Sequence, residues 1–378
     1  MQFKKVIANV SVKQRLISQV NENRVSHAQL FEEREGSGAL ALAIAYAQYI
    51  NCLQPLDDDS CGTCSSCIKF EKLQHPDVQL IFPTATTKEV SKNPTSSQFF
   101  KEWTGAVMAN PYLSLQNWIE LLEVENKQVS IAVLDSEEIL RKLSLRAYEA
   151  KKKIIILWFP EKMNIATSNK LLKILEEPDP HTVFLLICQD LDALLPTILS
   201  RVQIIKVAKP SADEIAEGLV QNFNVDEAAA KIYAPICEHN INRAIELASG
   251  NEDEDFYITN FQNWMRYCYA ANVIEISQWV DAIATIGREK QKNLAEYGLR
   301  FFRECLVHNY GNNLNTLHEK EAAFLQKFAP FIHGGNIILL SEAFEDLHNQ
   351  ITRNANPKIT FMNLSLNISK MLKLKAEF

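Results

Sequence analysis

The sequence predicts an α/β protein: a doubly wound parallel sheet in the amino-terminal part, followed by two all-helical regions. Three observations carry that expectation. Helical and strand patterns alternate over the first two hundred or so residues, as crossovers between parallel strands require. The runs Lys153 to Phe159 and Thr182 to Cys188 are almost continuously apolar, the composition of strands covered on both faces. Beyond Pro210 the strand signal ends and only helical patterns remain.

Taken in order, Lys13 to Val20 and Ala39 to Ile50 have helical spacing, the second with Leu40, Ala41, Ala43, Ile44 and Ala47 on a broad apolar face. Between them a strand ends at Phe31 and enters a loop. Val78 to Phe82 is a short strand. Ser136, followed by Glu137 and Glu138, suits a helix N-cap and predicts a helix running to about Ala150. The basic run Lys151 to Lys153 is expected to be a solvated helix end. After the strand at 153–159 comes a helix from Asn164 to Glu177, stopped by Pro178, and Val202 to Val207 closes the strand set. Ser211 with Glu214 forms a capping box opening a small helical region. Six longer helices are expected from about Phe256 to Leu374. The stretch 84–127, with Trp103, Tyr112 and Trp118, does not fit the alternation and is expected to be an ordered insertion in the core. The resulting domains are 1–208, holding a cysteine loop at 52–67 and that insertion, then 209–252 and 253–378.

A length of 378 residues exceeds one compact core, and an apolar fraction of 47% against 22% charged excludes wholesale disorder. No apolar run approaches the roughly 20 residues that span a bilayer, and the amino terminus lacks a signal-peptide pattern, so a cytoplasmic protein without membrane contact is expected. A net charge of -7 argues against a free-standing nucleic-acid binder, since phosphate affinity needs clustered cations.

Cys52, Cys61, Cys64 and Cys67 form the pattern C-x8-C-x2-C-x2-C. Four thiolates so spaced on one loop can wrap a tetrahedral zinc ion, and a four-sulfur shell leaves no open position, so a structural role is expected. Disulfides are disfavoured in a reducing compartment, and an iron–sulfur cluster is a further rival. Cys188, Cys237, Cys268 and Cys305 are expected to be small buried apolar residues.

After the first strand the chain runs Glu33-Arg34-Glu35-Gly36-Ser37-Gly38-Ala39-Leu40, where a phosphate loop would sit. A working loop needs Gly, Lys and Ser or Thr at the places held here by Glu33, Ala39 and Leu40. Glu33 and Glu35 would face the phosphates and repel them, so no ATP is expected to bind. The strand at 154–157 continues into Trp158-Phe159-Pro160-Glu161, so that only Glu161 is left of an acidic magnesium-holding set.

The cysteine module after the first core helix, the altered loop, the run Asn169-Lys170-Leu171-Leu172-Lys173-Ile174-Leu175-Glu176-Glu177-Pro178 and the stretch Leu195 to Arg201 together resemble bacterial clamp-loader subunits, most closely the delta-prime branch. The resemblance covers about residues 3–250 and extends to the carboxy-terminal part by length and pattern. It implies an AAA+ core, a helical lid, a helical collar that assembles a pentamer, and no ATPase activity of its own. It further implies that Arg201, after Ser200, projects as an arginine finger into the ATP site of a neighbouring tau/gamma subunit. The other implied partners are delta, the sliding clamp and, through the assembly, primed DNA. The motif departs at Val202, where Cys is usual. The place of a nucleotide-sensing Arg falls on Asn242, with Arg243 beside it, which implies that this sensor is absent. An ATP-hydrolysing loader subunit would need Lys at position 39 and Asp near 158. A zinc-dependent adaptor on an old ATPase core is the other alternative, distinguished by failure to join a clamp loader.

Overall fold

A computed structural model of the chain describes residues 1–124, 127–143, 146–176, 179–249, 252–309, 319–353 and 355–374. The chain divides into two compact units, Met1–Ala248 and Ser249–Phe378.

In the first unit the elements run α1 (Val10–Asn21), β1 (Ala28–Glu33), α2 (Ala39–Ile50), α3 (Ser65–Glu71), β2 (Val78–Ile81), α4 (Phe100–Ala109), α5 (Leu115–Leu121), α6 (Val133–Leu143), β3 (Lys153–Trp158), α7 (Ile165–Glu176), β4 (Thr182–Cys188), α8 (Pro196–Leu199) and β5 (Gln203–Val207). Three helices complete it: α9 (Ala212–Phe223), α10 (Glu227–Ile236) and α11 (Ile241–Ala248). The five strands are parallel in the order β2-β3-β4-β1-β5. Successive side chains of a strand face opposite sides, which is why apolar runs suit β3 and β4. Ile154, Ile156 and Trp158 enter one core cluster, and Ile155 and Leu157 the other. Every residue of α2 is buried. Its alternate alanines at 39, 41, 43, 45 and 47 keep that helix thin, and a helix apolar all round belongs inside a core.

The expected capping box of α9 is present: Ser211 Oγ accepts from Glu214 N at 3.2 Å while Glu214 accepts from Ser211 N at 2.8 Å. Four expectations need correction. β1 extends to Glu33, so this carboxylate ends a strand and does not lie in the loop. α6 begins at Val133, and Ser136 lies inside it, its hydroxyl donating to Val133 O at 2.6 Å. The helix, Val133–Leu143, does not run on to Ala150, where Asp77 captures the chain by accepting from the Tyr148, Glu149 and Ala150 amides at 2.6, 2.8 and 2.8 Å. The lysines of 151–153 are not a solvated helix end either. Lys151 Nζ donates to Cys52 O at 3.0 Å, Lys152 Nζ to Pro180 O at 2.7 Å, and Lys153 opens β3 in an ion pair with Asp179 at 2.9 Å. Glu177 and Pro178, the expected helix stop, lie outside the described residues.

The stretch 84–127 is built into the first unit. Phe82 stacks on Trp103 at 4.6 Å and meets Trp118 edge-on at 5.4 Å, and Trp118 Nε1 donates to Pro83 O at 2.7 Å. Its aromatics therefore join the cluster that lines the sheet.

The second unit holds α12 (Glu252–Ala270), α13 (Val273–Ile283), α14 (Arg288–Asn309), α15 (Glu319–Phe328), α16 (Gly334–Thr352) and α17 (Pro357–Met371). Its own core centres on Phe261, Trp264, Phe301, Phe302, Phe344 and Phe361. Trp264 stacks on Trp279 at 4.6 Å and donates its indole N–H to Ser365 Oγ at 2.8 Å, the hydrogen bond a buried indole needs. Among the described residues, no helix is long and apolar enough to cross a membrane.

Candidate functional site

Cys52 follows α2, Cys61 and Cys64 lie in the next loop, and Cys67 is carried by α3. The four sulfurs all lie within 4.8 Å of one another. Cys52 Sγ is 3.6 Å from both Cys61 Sγ and Cys67 Sγ, and Cys61 Sγ is 3.9 Å from Cys67 Sγ. A disulfide would need about 2.05 Å. Four sulfurs around one tetrahedral ion at metal–sulfur bonds of ~2.3 Å stand ~3.8 Å apart, so the set fits such an ion. Backbone amides already serve the sulfurs: Cys61 N donates to Cys52 Sγ and Cys64 N to Cys61 Sγ, both at 3.3 Å. Burial opposes ionisation at Cys61, but amide hydrogen bonds from Thr63 and Cys64 outweigh it and bring the thiol down to about 6. This loop has a hydrophobic floor: Cys52 and Cys67 are fully buried and Phe70 of α3 enters the core. The other four cysteines are buried, as their apolar surroundings predict.

β1 and β4 are neighbours whose onward connections leave in opposite directions, β1 toward β2 and β4 across β1 to β5. In an open parallel sheet the crevice at such a switch point, outside the carboxyl ends, is where ligands bind. Glu33 ends β1 here, and its Oε1 accepts from Ala39 N, the first amide of α2, at 3.3 Å. A helix amino terminus attracts an anion, and in this chain a carboxylate already sits against it. Burial pushes the Glu33 carboxyl up to about 7, against the opposing pull of that amide. Ala39 and Leu40 are buried and carry no polar side chain. Glu161, after β3, accepts from Gln189 N at 2.9 Å and Asp190 N at 3.4 Å, tying the ends of β3 and β4 together.

The loop is also covered. Gly36 and Gly38 have φ of +77° and +83°, which glycine adopts without cost. A Cβ at Gly36 would lie 2.6 Å from Asn240 Cα, and one at Gly38 would lie 2.8 Å from Tyr112 Cε1. Ile241 N donates to Gly36 O at 3.1 Å. Asn242, at the expected sensor place, is buried; Arg243 beside it lies 3.9 Å from Glu238.

Arg201 lies in the short connection between α8 and β5. Its guanidinium donates to Thr197 O at 2.8 Å, to Ser200 Oγ at 3.1 Å and to Glu176 Oε1 at 2.8 Å, with 34% of the side chain exposed. Ser200 in turn donates to Thr197 O at 3.0 Å. Val202 packs on the second core cluster, an apolar task that either Val or Cys can fill. Composition and spacing did not reveal Glu176 as the partner of Arg201 or Tyr112 and Asn240 as the cover of the loop. All three depend on contacts between residues far apart in the chain.

Fold and site define a parallel α/β protein with a four-cysteine cluster able to hold a metal ion and, at the carboxyl end of β1, a glycine turn closed by its own side chains. Residues 8–211, more than half of the chain, match the family described as DNA polymerase III, delta subunit. The chain belongs to that clamp-loader family, in its delta-prime branch. It is similar to DNA polymerase III subunit delta' of Bacillus subtilis (strain 168), with 27% identity over 63% of this chain and 58% of that subunit. The match thus spans well under two thirds of the Bacillus subunit. The Escherichia coli (strain K12) subunit delta' is 22% identical over 79% of this chain and 75% of its own. A solved Thermotoga maritima protein described as DNA polymerase III gamma subunit-related covers 96% of this chain and 99% of its own at 16% identity, with a TM-score of 0.43.

Proposed function

We propose that this chain is the non-hydrolysing subunit of a DNA polymerase III clamp loader in the cytoplasm, which lends Arg201 to the ATP site of a neighbouring tau/gamma subunit. The observation that carries the reading is the carboxylate of Glu33 against the Ala39 amide, with Ala39 and Leu40 standing where a lysine and a magnesium-holding hydroxyl would be needed. A triphosphate there would have to displace a carboxylate from a buried helix end and would find alanine in place of the phosphate-binding lysine.

Two features favour Arg201 as the donated group. It lies at an exposed end of the core, and its ion pair with Glu176 is solvent-accessible on both sides, an interaction of about 0–1 kcal/mol. A phosphate group carries more charge than one carboxylate and takes a guanidinium in bidentate fashion, so exchange of Glu176 for a neighbour's nucleotide is downhill. Thr197 O and Ser200 Oγ hold the guanidinium near the end of α8 and limit its search. Stabilising charge on a transferring phosphoryl group is what such an arginine supplies.

Zinc suits the four-cysteine set: Cys52, Cys61, Cys64 and Cys67 would hold it, and it would crosslink a loop to α2 and α3 with no open position for chemistry. Delta, the sliding clamp and primed DNA are the further partners, reached through the assembly, and residues 209–252 and 253–378 are the lid and collar of this reading. The purified chain tests it. Expected are about one zinc per chain, no retention of ATP in equilibrium dialysis and no hydrolysis; turnover by the chain alone would refute the reading.

A further inference from the structure

The stretch 84–127 carries no assigned role, yet it reaches the glycine turn and the helices α9 and α11. Tyr112 is its first point of contact. The ring lies against Gly38 and beside Phe223 of α9, with ring centroids 6.3 Å apart, and the hydroxyl accepts from Ile7 N at 2.8 Å. Asn110 and Asn117 form the second. Asn110 Nδ2 donates to Asn242 Oδ1 at 2.6 Å, and Asn242 Nδ2 donates to Asn117 Oδ1 at 2.7 Å and to Glu246 Oε1 at 2.9 Å. Asn117 Nδ2 closes the ring by donating to the same Glu246 oxygen at 2.9 Å. Asn242 is only 6% exposed, so its amide has little water to turn to if these partners leave.

On the other side α11 touches the loop directly, through Ile241 N to Gly36 O and the close approach of Asn240 to Gly36. Loop, inserted segment and helices are thus joined pairwise. We propose that the inserted segment is a permanent intramolecular occupant of the phosphate-loop region, fastening α9 and α11 onto the glycine turn so that helices and turn keep one arrangement with no nucleotide between them. Amide side chains suit this task because each offers donors and an acceptor, and a closed set leaves none of them buried without a partner. Nothing in the inference depends on the role of Arg201.

Hydrogen exchange followed by mass spectrometry on the full-length chain tests it, comparing the native protein with Asn110→Ala/Asn117→Ala. Both replaced side chains are half-buried and outside the strands, so the sheet is expected to persist. The expected result is exchange faster by about tenfold or more in peptides 36–42 and 241–248, with β3, β4 and the second unit unchanged. Asn242→Asp, which keeps the shape but loses both donated hydrogen bonds, is expected to give the same local pattern and serves if the double variant fails to fold. Unchanged exchange in the two stretches, or an equal rise across β3 and β4, would overturn the proposal.

Discussion

Glu33 has the most consequential chemistry of any single residue here, because its position converts an attractive helix end into an occupied one. Folding raises its pKa from 4.5 to about 7, so the folded chain binds this proton more tightly than the unfolded chain. The contribution to stability is therefore fully present below about pH 4.5 and is lost as pH rises through about 7. Glu33→Gln keeps an acceptor for Ala39 N and removes the titration. Its stability relative to the native chain is expected to grow from pH 5 to pH 8, by up to ~3 kcal/mol. Parallel denaturation curves at the two pH values would contradict it. Two loop features were legible in the sequence at this scale, the missing lysine and the missing hydroxyl, since each is a matter of residue type at a known offset. The burial of Glu33 was not, because it turns on β1 running two residues past Phe31, and strand ends are set by pairing, here of Glu33 with Val207.

At the scale of elements, the four-cysteine cluster brings the end of α2 and the start of α3 together around four sulfurs. Cys61→Ser is expected to abolish stoichiometric metal binding and to lower the unfolding temperature of the first unit, because binding free energy at a structural site is folding free energy. Metal content by emission spectroscopy and exchange rates in peptides 50–72 read the two effects; full metal content in the variant would sink the assignment of Cys61. The cysteine spacing made this module legible, as the alternation of apolar runs did for β3 and β4. Other elements were decided by side chains distant in sequence. Asp77 captures the chain beyond α6 by binding amides more than seventy residues away, and no local propensity reports that capture. The Asn110, Asn117 and Asn242 amides likewise span 125 to 132 residues, so the stretch 84–127 showed its aromatics in the sequence but not its contacts.

For the whole molecule, each unit carries its own apolar core, one on the two faces of the sheet and one around Phe261 and Trp264. A unit with a complete core of its own can fold alone. Residues 1–248 are therefore expected to melt cooperatively and to retain the metal when expressed without the rest; an unfolded fragment would show that the cores depend on each other. The change from strands to helices falls near Pro210 in the sequence, whereas in the structure α9 to α11 stay with the sheet and the division falls near residue 249. The tasks of the two parts lay outside composition, and the clamp-loader assignment came instead from motifs and family membership. The most direct test of the arginine reading is ATP hydrolysis by a loader reconstituted from this chain, tau/gamma, delta, clamp and primed DNA, with either Arg201 or Ala at that position. The account predicts intact assembly and a rate lowered roughly two- to tenfold in the Arg201→Ala complex, since only the site this chain faces loses its guanidinium. An Arg201→Ala complex that assembles and hydrolyses ATP at the full rate would contradict it.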